Sequence, residues 1–362
     1  MVAKPKSKPK KINLALQGGG AHGAYTWGVL DRLLDEKDIV FEGISGTSAG
    51  AMNAVILADG YSKGGRKKAK EQLRDFWQEV SHCSGVFSPI QKFDTEQAKQ
   101  FNFGWNFAAS WLDAVSRTFS PYELNPMNVN PLRDILERMV DWDRLHRDGG
   151  IHLFVTATNV QLGQPRVFSC EEITLDVLLA SACIPFLFQA VEIEGEPYWD
   201  GGYMGNPSIW PLIYKTHCDD ILLVQINPLE RAGTPMRSME IIDRLNEISF
   251  NSSLVSEMRA INFVKKLIDK GKLDDREYKN IRMHMIFSPD AMHGMTASTK
   301  LTANWEFFQF LHGVGYELAD QWLKENKAAI GKKATLDIDK VFLAKKHHPK
   351  TSRERAKSAQ SS

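Results

Sequence analysis

The sequence predicts an α/β fold in which helices cover a mostly parallel central sheet. Apolar strand-like segments at residues 12–16 and 41–45 are each followed at once by a helical pattern, and this alternation is typical of parallel sheets. The strand predicted at residues 221–226 has apolar residues on both faces, as expected of a strand buried on both sides. Further strands are predicted at residues 151–157, 166–169 and 282–287.

The first four elements follow one another closely. The strand at 12–16 leads through a glycine-rich turn into a helix over about 24–37, which has Trp27, Leu30 and Leu34 on one face. The strand at 41–45 leads into an apolar helix that ends near Asp59. We expect a turn or loop at 60–65 and a charged amphipathic helix over about 66–80.

An aromatic-rich insertion interrupts this pattern at about residues 84–131. Its aromatic side chains could fill a small core of their own, or they could cover an apolar pocket as a lid. After the insertion the strands resume, and a closing helix carries a stripe of aromatic and aliphatic residues that we expect to be core. The stripe comprises Leu301, Trp305, Phe308, Leu311, Leu318 and Trp322.

The two ends of the chain are basic and differ in composition from the rest. Residues 1–11 alternate lysine with proline and serine, and residues 326–362 end in a run rich in Lys, Arg and Ser. We expect both ends to be largely disordered, which leaves one catalytic domain over residues 12–325.

Composition excludes several classes of protein. The 362 residues are 43% hydrophobic and carry a net charge of +1, so a globular chain is expected and a nucleic-acid binder is not. No signal peptide is recognisable, and the most apolar run, 177–191, is too short to span a membrane. We expect a cytoplasmic or peripheral membrane protein. The sequence leaves its oligomeric state open.

The strand at 41–45 is followed by Gly46-Thr47-Ser48-Ala49-Gly50, a Gly-x-Ser-x-Gly motif at the start of a helix. A serine on such a sharp turn requires small neighbours two residues away on each side, here Gly46 and Gly50. The turn places the hydroxyl at a helix N-terminus, where negative charge is stabilised. Ser48 is therefore a candidate nucleophile.

A second motif, residues 18–23, follows the first strand and reads Gly-Gly-Gly-Ala-His-Gly. Gly18, Gly19 and Gly20 leave backbone N–H groups free to face an anion, as in an oxyanion hole. With Gly23, the same letters satisfy the Gly-x-Gly-x-x-Gly dinucleotide fingerprint. A nucleotide-binding regulatory protein therefore stays an alternative, although the next strand ends without the acidic residue that would hold a ribose.

The third piece is Asp200 with Gly201 and Gly202, after a strand-like run. Alone it indicates only a turn. A Ser-His-Asp triad would need a histidine in a loop after the serine, and His293 is the late histidine that meets this condition. A triad through His293 therefore stays open.

The order of these motifs resembles the patatin-like phospholipase family. Gly18–Gly20, the serine motif about 25 residues later and Asp200-Gly-Gly carry the resemblance, and residues 179–185 before the aspartate are also similar to that family. The resemblance implies a three-layer α/β/α hydrolase with a Ser48–Asp200 dyad in place of a triad, Asp200 acting as the general base. It further implies that Gly18–Gly20 form the oxyanion hole.

The resemblance also implies a function and marks one departure. The family usually has Arg or Lys where this chain has His22, so cationic help from this position is in doubt. We expect hydrolysis of a lipid ester through an acyl-Ser48 intermediate, with no metal or other cofactor. A membrane surface is one place where this substrate could be met. Residues 180–188 are expected to line the acyl pocket, and Ser181 to support the Asp200 loop. A catalytically silent protein that keeps the fold is the remaining alternative.

Overall fold

The computed structural model describes residues 9–83, 119–147, 150–231, 233–274, 276–289, 292, 295 and 298–343. The strands are β1 Lys10–Leu16, β2 Ile39–Gly46, β3 His152–Asn159, β4 Gln164–Ser169, β5 Val191–Ile193, β6 Glu196–Asp200, β7 Asp220–Val224 and β8 Arg282–Ile286. The α-helices are α1 Gly23–Leu34, α2 Ala49–His82, α3 Pro121–Leu124, α4 Pro131–Met139, α5 Trp142–Arg147, α6 Leu175–Ser181, α7 Trp210–Lys215, α8 Ser238–Asp269 and α9 Trp305–Asn326.

The eight strands form one sheet in the order β5-β6-β3-β2-β1-β7-β8, with β4 paired to β3. The pairs that join β3, β2, β1, β7 and β8 are parallel, whereas β4 and β6 run antiparallel to β3. Parallel strands end at one edge of a sheet, and ligands bind at that edge. The turns that follow β1, β2 and β7 therefore lie side by side at the edge that carries the candidate site.

Helices cover both faces of the sheet. Leu14 and Leu16 of β1 point into a core shared with α1, α2, α6 and α9. Ala15, between them, points into a second core that contains Leu212 of α7 and Met258 of α8. The side chains of β7 also point alternately into the two cores, because successive side chains of a strand lie on opposite faces of the sheet. The predicted three-layer α/β/α fold is confirmed.

The break that the sequence predicts between two helices is shorter in the structure than expected. Residues 60–63 are helical, and the break that we expected over 60–65 is confined to Gly64 and Gly65, which have non-helical backbone angles within α2. Gly65 has a positive φ of 67°, which a glycine adopts without steric cost. The interruption of helical geometry within α2 is therefore two residues long.

The described structure also continues past residue 325, where we expected the catalytic domain to end. Residues 327–329 and 339–343 form short helical turns, and Ile338 is 5% exposed within the second core. The apolar side chains of this segment bind it to the sheet, although lysines surround them in the sequence. Residues 1–8, residues 344–362 and most of the insertion, 84–118, lie outside the described residues.

The closing helix α9 lies where its pattern predicted. Phe308, Leu311 and Trp322 are buried in the first core, and Trp305 and Leu318 pack against it. Within the described segments, no helix combines the length and the apolar character needed to cross a membrane.

Candidate active site

Ser48 occupies the turn between β2 and α2. Its backbone angles are φ 53° and ψ −123°, a region that costs free energy for any residue other than glycine and is found mainly at functional sites. The turn is tight, since a Cβ on Gly50 would lie 2.2 Å from the carbonyl oxygen of Leu16 and a Cβ on Gly46 would lie 2.6 Å from that of Gly50. Both glycines are therefore required by close packing.

The backbone of Ser48 is held by a second serine. The N–H of Ser48 donates to Ser181 Oγ at 2.9 Å, and Ser181 Oγ donates to the carbonyl of Thr156 at 2.7 Å. Ser181 thus joins the nucleophile turn to strand β3. We had expected Ser181 to support the Asp200 loop, and its hydrogen bonds instead go to the turn and to β3.

Asp200 is the last residue of β6 and is 2% exposed. It lies opposite Ala157 of β3, two residues beyond Val155, which is the partner of Gly46. This register places Asp200 at the same edge of the sheet as Ser48. The carboxylate Oδ1 accepts a hydrogen bond from the N–H of Gly202 at 2.7 Å.

Burial raises the pKa of the Asp200 carboxyl to about 6, while the Gly202 N–H, the Ser48 hydroxyl and the positive charge of Lys300 lower it. Desolvation penalises the ionised form, and hydrogen bonds and a nearby cation favour it. The carboxyl is therefore ionised at pH 7 and more basic than an exposed aspartate. Such a pKa suits a general base near neutral pH.

Gly201 is the other glycine of this motif. A Cβ on it would lie 2.0 Å from the carbonyl oxygen of Thr156. The backbone here approaches β3 too closely for any side chain. Gly201 and Gly202 therefore support the position of Asp200 in two ways, by close packing and by a hydrogen bond.

The glycine loop follows β1 and is fixed by amide side chains. Gly18 N–H donates to Asn206 Oδ1 at 2.7 Å, and Asn227 Nδ2 donates to the carbonyl of Gly18 at 3.0 Å. Gln17 Oε1 accepts from the backbone N–H groups of Ile226 and Asn227, both at 2.9 Å. These bonds fasten the loop to residues 226 and 227 after β7 and to Asn206, which follows β6.

Gly20 is the residue of the loop that needs to be glycine on conformational grounds. Its φ is +56°, and a Cβ would lie 2.4 Å from the carbonyl oxygen of Lys300. Gly23 begins α1 and packs against Ala49, whose Cβ would lie 2.6 Å from a Cβ on Gly23. The loop is therefore packed against the nucleophile helix on one side and against residue 300 on the other.

The three loop glycines differ in which N–H groups they can offer to a substrate. The N–H of Gly18 is already bonded to Asn206. Among hydrogen bonds between described residues, none uses the N–H of Gly19 or of Gly20. Gly19 and Gly20 are therefore better placed than Gly18 to supply oxyanion donors.

His22 lies at the end of this loop and is 2% exposed. Its Nε2 is 2.8 Å from Thr299 Oγ1. Burial, together with the positive charges of Lys300 and Arg231, lowers the pKa of His22 to about 3. The imidazole is therefore neutral at pH 7 and supplies no positive charge to the loop.

An apolar cavity opens beside Ser48. Its empty volume is about 710 Å³, including its mouth. Of the predicted wall residues 180–188, Ala182, Ile184, Leu187 and Phe188 line it. The other wall comes from the helices, including Met52, Phe76, Trp77 and Phe308. The aromatic residues of 84–118 that we also expected there lie outside the described residues.

The described histidines do not complete a triad. None of them hydrogen-bonds to Ser48 or Asp200; His284 bonds to Asp220 and Thr335, and His312 Nε2 lies 3.1 Å from Asp31. His293 lies outside the described residues. In the same part of the chain, no group of three or more His, Cys, Asp or Glu side chains could hold a metal ion.

A buried serine on a strand–helix turn, with a carboxylate and a glycine loop at the same edge of a mainly parallel sheet, is typical of α/β serine hydrolases. The model of one family, described as patatin-like phospholipase, matches residues 14–213. The chain belongs to this family, as its motifs indicated.

Two curated relatives are 27% identical to the chain. One is the uncharacterized protein R571 of Acanthamoeba polyphaga mimivirus, where the match covers 54% of this chain and 61% of the relative. The other is a cGAMP-activated phospholipase of Escherichia coli (strain TW11681), where it covers 55% of this chain and 54% of the relative. The matches thus span between half and two thirds of the curated relatives.

Two solved structures are similar at low identity. VipD from Legionella pneumophila is 19% identical with a TM-score of 0.38, and the alignment covers 94% of this chain and 75% of VipD. The ExoU chain of the ExoU–SpcU complex from Pseudomonas aeruginosa is 17% identical with a TM-score of 0.33, and the alignment covers 93% of this chain and 58% of that chain.

Proposed function

We propose that this protein is a serine lipid acyl hydrolase that cleaves carboxylic esters through a Ser48–Asp200 dyad. The observation that carries the proposal is the position of Ser48. It lies on a strained turn, its side chain interacts with a buried carboxylate of raised pKa, and it borders an apolar cavity. Membership of the patatin-like phospholipase family supports the same reaction class.

Acylation follows from this arrangement. Ser48 Oγ attacks the ester carbonyl carbon while Asp200 accepts the hydroxyl proton. The negative charge that develops on the carbonyl oxygen is stabilised by the N–H groups of Gly19 and Gly20. One such donor lowers the activation barrier by about 2.7–4 kcal/mol. When the C–O bond to the alcohol breaks, Asp200 returns the proton to the leaving alkoxide, and an acyl-Ser48 ester remains.

Deacylation uses the same groups, with water as the nucleophile and Ser48 as the leaving group. Asp200 accepts a proton from a water molecule, whose oxygen attacks the acyl carbon. The second tetrahedral intermediate breaks down to a carboxylic acid and free Ser48, which recovers the proton from Asp200. Each step returns Asp200 to its ionised form, so no further cofactor is required by this scheme.

The cavity supports a substrate with a long apolar acyl chain. Its lining is almost entirely apolar, with Ser48 and Lys300 as two of the few polar contributors. Burial of each methylene group there contributes about 0.8 kcal/mol to binding. We therefore propose a lipid ester as substrate, met in solution or at a membrane surface.

The proposal is tested by lipid profiling. The purified protein and its Ser48→Ala variant are incubated with a lipid extract, and free fatty acids and lysolipids are measured by mass spectrometry. We expect fatty acids to accumulate with the wild type alone. Release by Ser48→Ala at the wild-type rate would overturn the assignment of the nucleophile, and a folded wild type that cleaves no ester would identify a silent protein.

Two further variants separate the dyad from a triad. Asp200→Ala should remove activity, and His293→Ala should retain most of it. The opposite pattern would favour a triad through His293. A nucleotide that co-purifies with the protein, together with failure of a fluorophosphonate to label Ser48, would favour the nucleotide-binding alternative.

A further inference from the structure

Lys300 lies outside the part of the chain that matches the family, in a short 3-10 helix, Ser298–Leu301. It is half-buried and borders two cavities. One is the apolar cavity that contains Ser48. The other is a small polar recess lined in part by His22, Asn227 and Glu247. Lys300 therefore lies where the acyl cavity meets the polar surroundings of the glycine loop.

The side chain of Lys300 reaches the glycine loop through one intermediary. Lys300 Nζ donates to Asn227 Oδ1 at 2.7 Å, and Asn227 Nδ2 donates to the carbonyl of Gly18 at 3.0 Å. The amide of Asn227 is thus oriented from both ends, because its oxygen receives the ammonium and its nitrogen holds the loop. Nδ2 also lies 3.3 Å from its second acceptor, Gln17 Oε1, so the ammonium group adds a third bond to the amide, at its oxygen.

The backbone around Lys300 contacts the same loop directly. The carbonyl oxygen of Lys300 lies so close to Gly20 that a Cβ there would be 2.4 Å away. The neighbouring Thr299 Oγ1 lies 2.8 Å from His22 Nε2. Residues 299 and 300 therefore hold the loop at Gly20 and His22 while the Lys300 side chain holds it at Gly18.

Charged groups surround Lys300 on several elements. Burial is the largest effect and lowers the pKa of Lys300 below its ordinary value, and the charge of Arg231 adds to it, whereas Glu247 and Asp243 of α8 and Asp200 of β6 act in the opposite direction. The ring of Phe250 lies 5.5 Å from Nζ, within the range of a cation–π interaction. Three carboxylates and an aromatic face therefore oppose the loss of positive charge that burial favours.

The loop itself brings no cation. His22 lies at its end, and the pKa of about 3 leaves this imidazole neutral at pH 7. Lys300 is one of the groups that lower that pKa. The same ammonium group lowers the pKa of Asp200. A single positive charge therefore acts on the loop histidine and on the proposed base.

We propose that Lys300 is a positioning residue of the active site, whose ammonium group places a positive charge beside the glycine loop, holds that loop through Asn227 and favours the ionised form of Asp200. The inference rests on the proposed function. It assigns a role to a residue that enters the site from a part of the chain beyond the family match, about 100 residues after Asp200. If Lys300 acts on Asp200 in this way, the fall of the esterase rate at low pH should depend on residue 300.

The groups that face Asp200 define what a pH profile would report. Ser48, Gly202 and Lys300 act on its carboxyl, and Tyr203 and Cys183 lie close enough to feel its charge. Burial raises the pKa of Tyr203 and of Cys183 to about 12, so both are neutral near pH 6. A change in the acid limb on substitution of Lys300 would therefore report Asp200.

The test compares Lys300→Met, Lys300→Arg and the exposed control Lys332→Met with the wild type. Turnover of a water-soluble p-nitrophenyl ester is measured from pH 4.5 to 9, with kcat and KM separated, and urea unfolding confirms that each variant is folded. We expect Lys300→Met to lower kcat about 10-fold or more with little change in KM, and to move the acid limb to higher pH by about half a unit or more. Lys300→Arg and Lys332→Met should keep most of the rate and the wild-type limb.

A folded Lys300→Met variant with wild-type kcat and an unmoved acid limb would overturn the inference. If Lys300→Met does not fold, Lys300→Gln, which keeps a donor for Asn227 without the charge, takes its place. Failure of both neutral variants to fold while Lys300→Arg folds would also overturn it, because the residue would then be structural. A wild type without Ser48-dependent turnover would instead overturn the proposed function, and this inference with it.

Discussion

The backbone N–H of Ser48 donates to the hydroxyl of Ser181 at 2.9 Å, so one serine holds the strained turn on which the other lies. Ser181 is fully buried, and its hydroxyl donates a hydrogen bond to the carbonyl of Thr156. The turn is thereby fixed to β3, the strand that also pairs with Asp200. The proposed nucleophile and the proposed base share one support.

Replacing Ser181 with alanine should therefore affect both stability and rate. The variant leaves a buried N–H on Ser48 without an acceptor, which costs about 1–3 kcal/mol of unfolding free energy. We also expect slower labelling of Ser48 by a fluorophosphonate. Ser252→Ala, which removes an exposed hydroxyl bonded within α8, is the control in urea unfolding, and equal behaviour of the two variants would contradict the role of Ser181.

Asp200→Asn should stabilise the protein while it removes activity. The raised pKa of Asp200, about 6, means that the folded state disfavours the ionised carboxylate. This cost is present above pH 6 and is relieved as the pH falls toward the unfolded value near 3.8. At pH 8 we expect the neutral amide to increase the unfolding free energy by about 1–3 kcal/mol.

Urea unfolding at pH 8 and pH 5 checks this expectation, with the exposed Asp143→Asn variant as the control. The stabilisation should be smaller at pH 5 than at pH 8. A variant that is less stable than the wild type at pH 8 would show that the carboxylate stabilises the fold, contrary to its raised pKa.

His22 should make stability fall in acid. Its folded pKa of about 3 lies below the unfolded value of 6.5, so the unfolded state binds more protons between these values. Stability from this group is complete above pH 6.5 and is lost as the pH falls, by about 2 kcal/mol between pH 7 and pH 5. In the Asp200→Asn background, adding His22→Gln should reduce the loss of unfolding free energy between pH 7 and pH 5. An unchanged loss would contradict the lowered pKa of His22.

Gly20→Ala should be far more damaging than Gly65→Ala. Both glycines have positive φ, 56° and 67°. A Cβ at Gly20 would lie 2.4 Å from the Lys300 carbonyl oxygen, whereas one at Gly65 would meet nothing within 4 Å. Gly65→Ala therefore incurs only the cost of a backbone conformation that favours glycine (φ 67°, ψ −156°), about 1–3 kcal/mol. We expect Gly20→Ala to lose additional stability and most esterase activity, and equal effects of the two in thermal unfolding and turnover would be inconsistent with the packed loop.

Filling the apolar cavity should change the preferred chain length. Met52→Trp adds volume to the cavity wall beside Ser48, so long acyl chains should lose about 10-fold or more in kcat/KM while acetyl and butyryl esters lose little. Leu162→Trp, at an exposed position, is the control. Turnover of p-nitrophenyl esters from C2 to C16 checks this, and a uniform loss at all lengths would place the acyl chain elsewhere.

The sequence predicted the layers of the fold and the turns that carry the candidate site, because these depend on local patterns. Ser48 follows a strand and begins a helix, so its surroundings are encoded within ten residues. Asp200 was found as part of a motif with two glycines. The strand positions were correct to within about two residues for the same reason, since hydrophobic periodicity is local.

The residues that hold these turns were not predictable in this way. Asn206 and Asn227 bind the glycine loop from about 190 and 210 residues away, and Ser181 reaches Ser48 across 133 residues. Asn206 and Asn227 are single polar residues with no surrounding motif, and Ser181 was expected to support the Asp200 loop, not the turn at Ser48. Their roles depend on the sheet order, which brings the ends of β1, β2 and β7 together. Lys300 was missed because it directly precedes the apolar stripe that begins at Leu301, and that stripe indicated only core.

A single-turnover acylation experiment tests the Ser48–Asp200 dyad most directly. Wild type and Asp200→Asn are mixed in excess with a p-nitrophenyl ester at pH 8, quenched, and digested for mass spectrometry of the Ser48 peptide. We expect an acyl group on Ser48 in the wild type, formed with a burst of p-nitrophenol, and acylation at least about 100-fold slower in Asp200→Asn. An acyl group on another residue, or acylation of Asp200→Asn at the wild-type rate, would contradict the dyad.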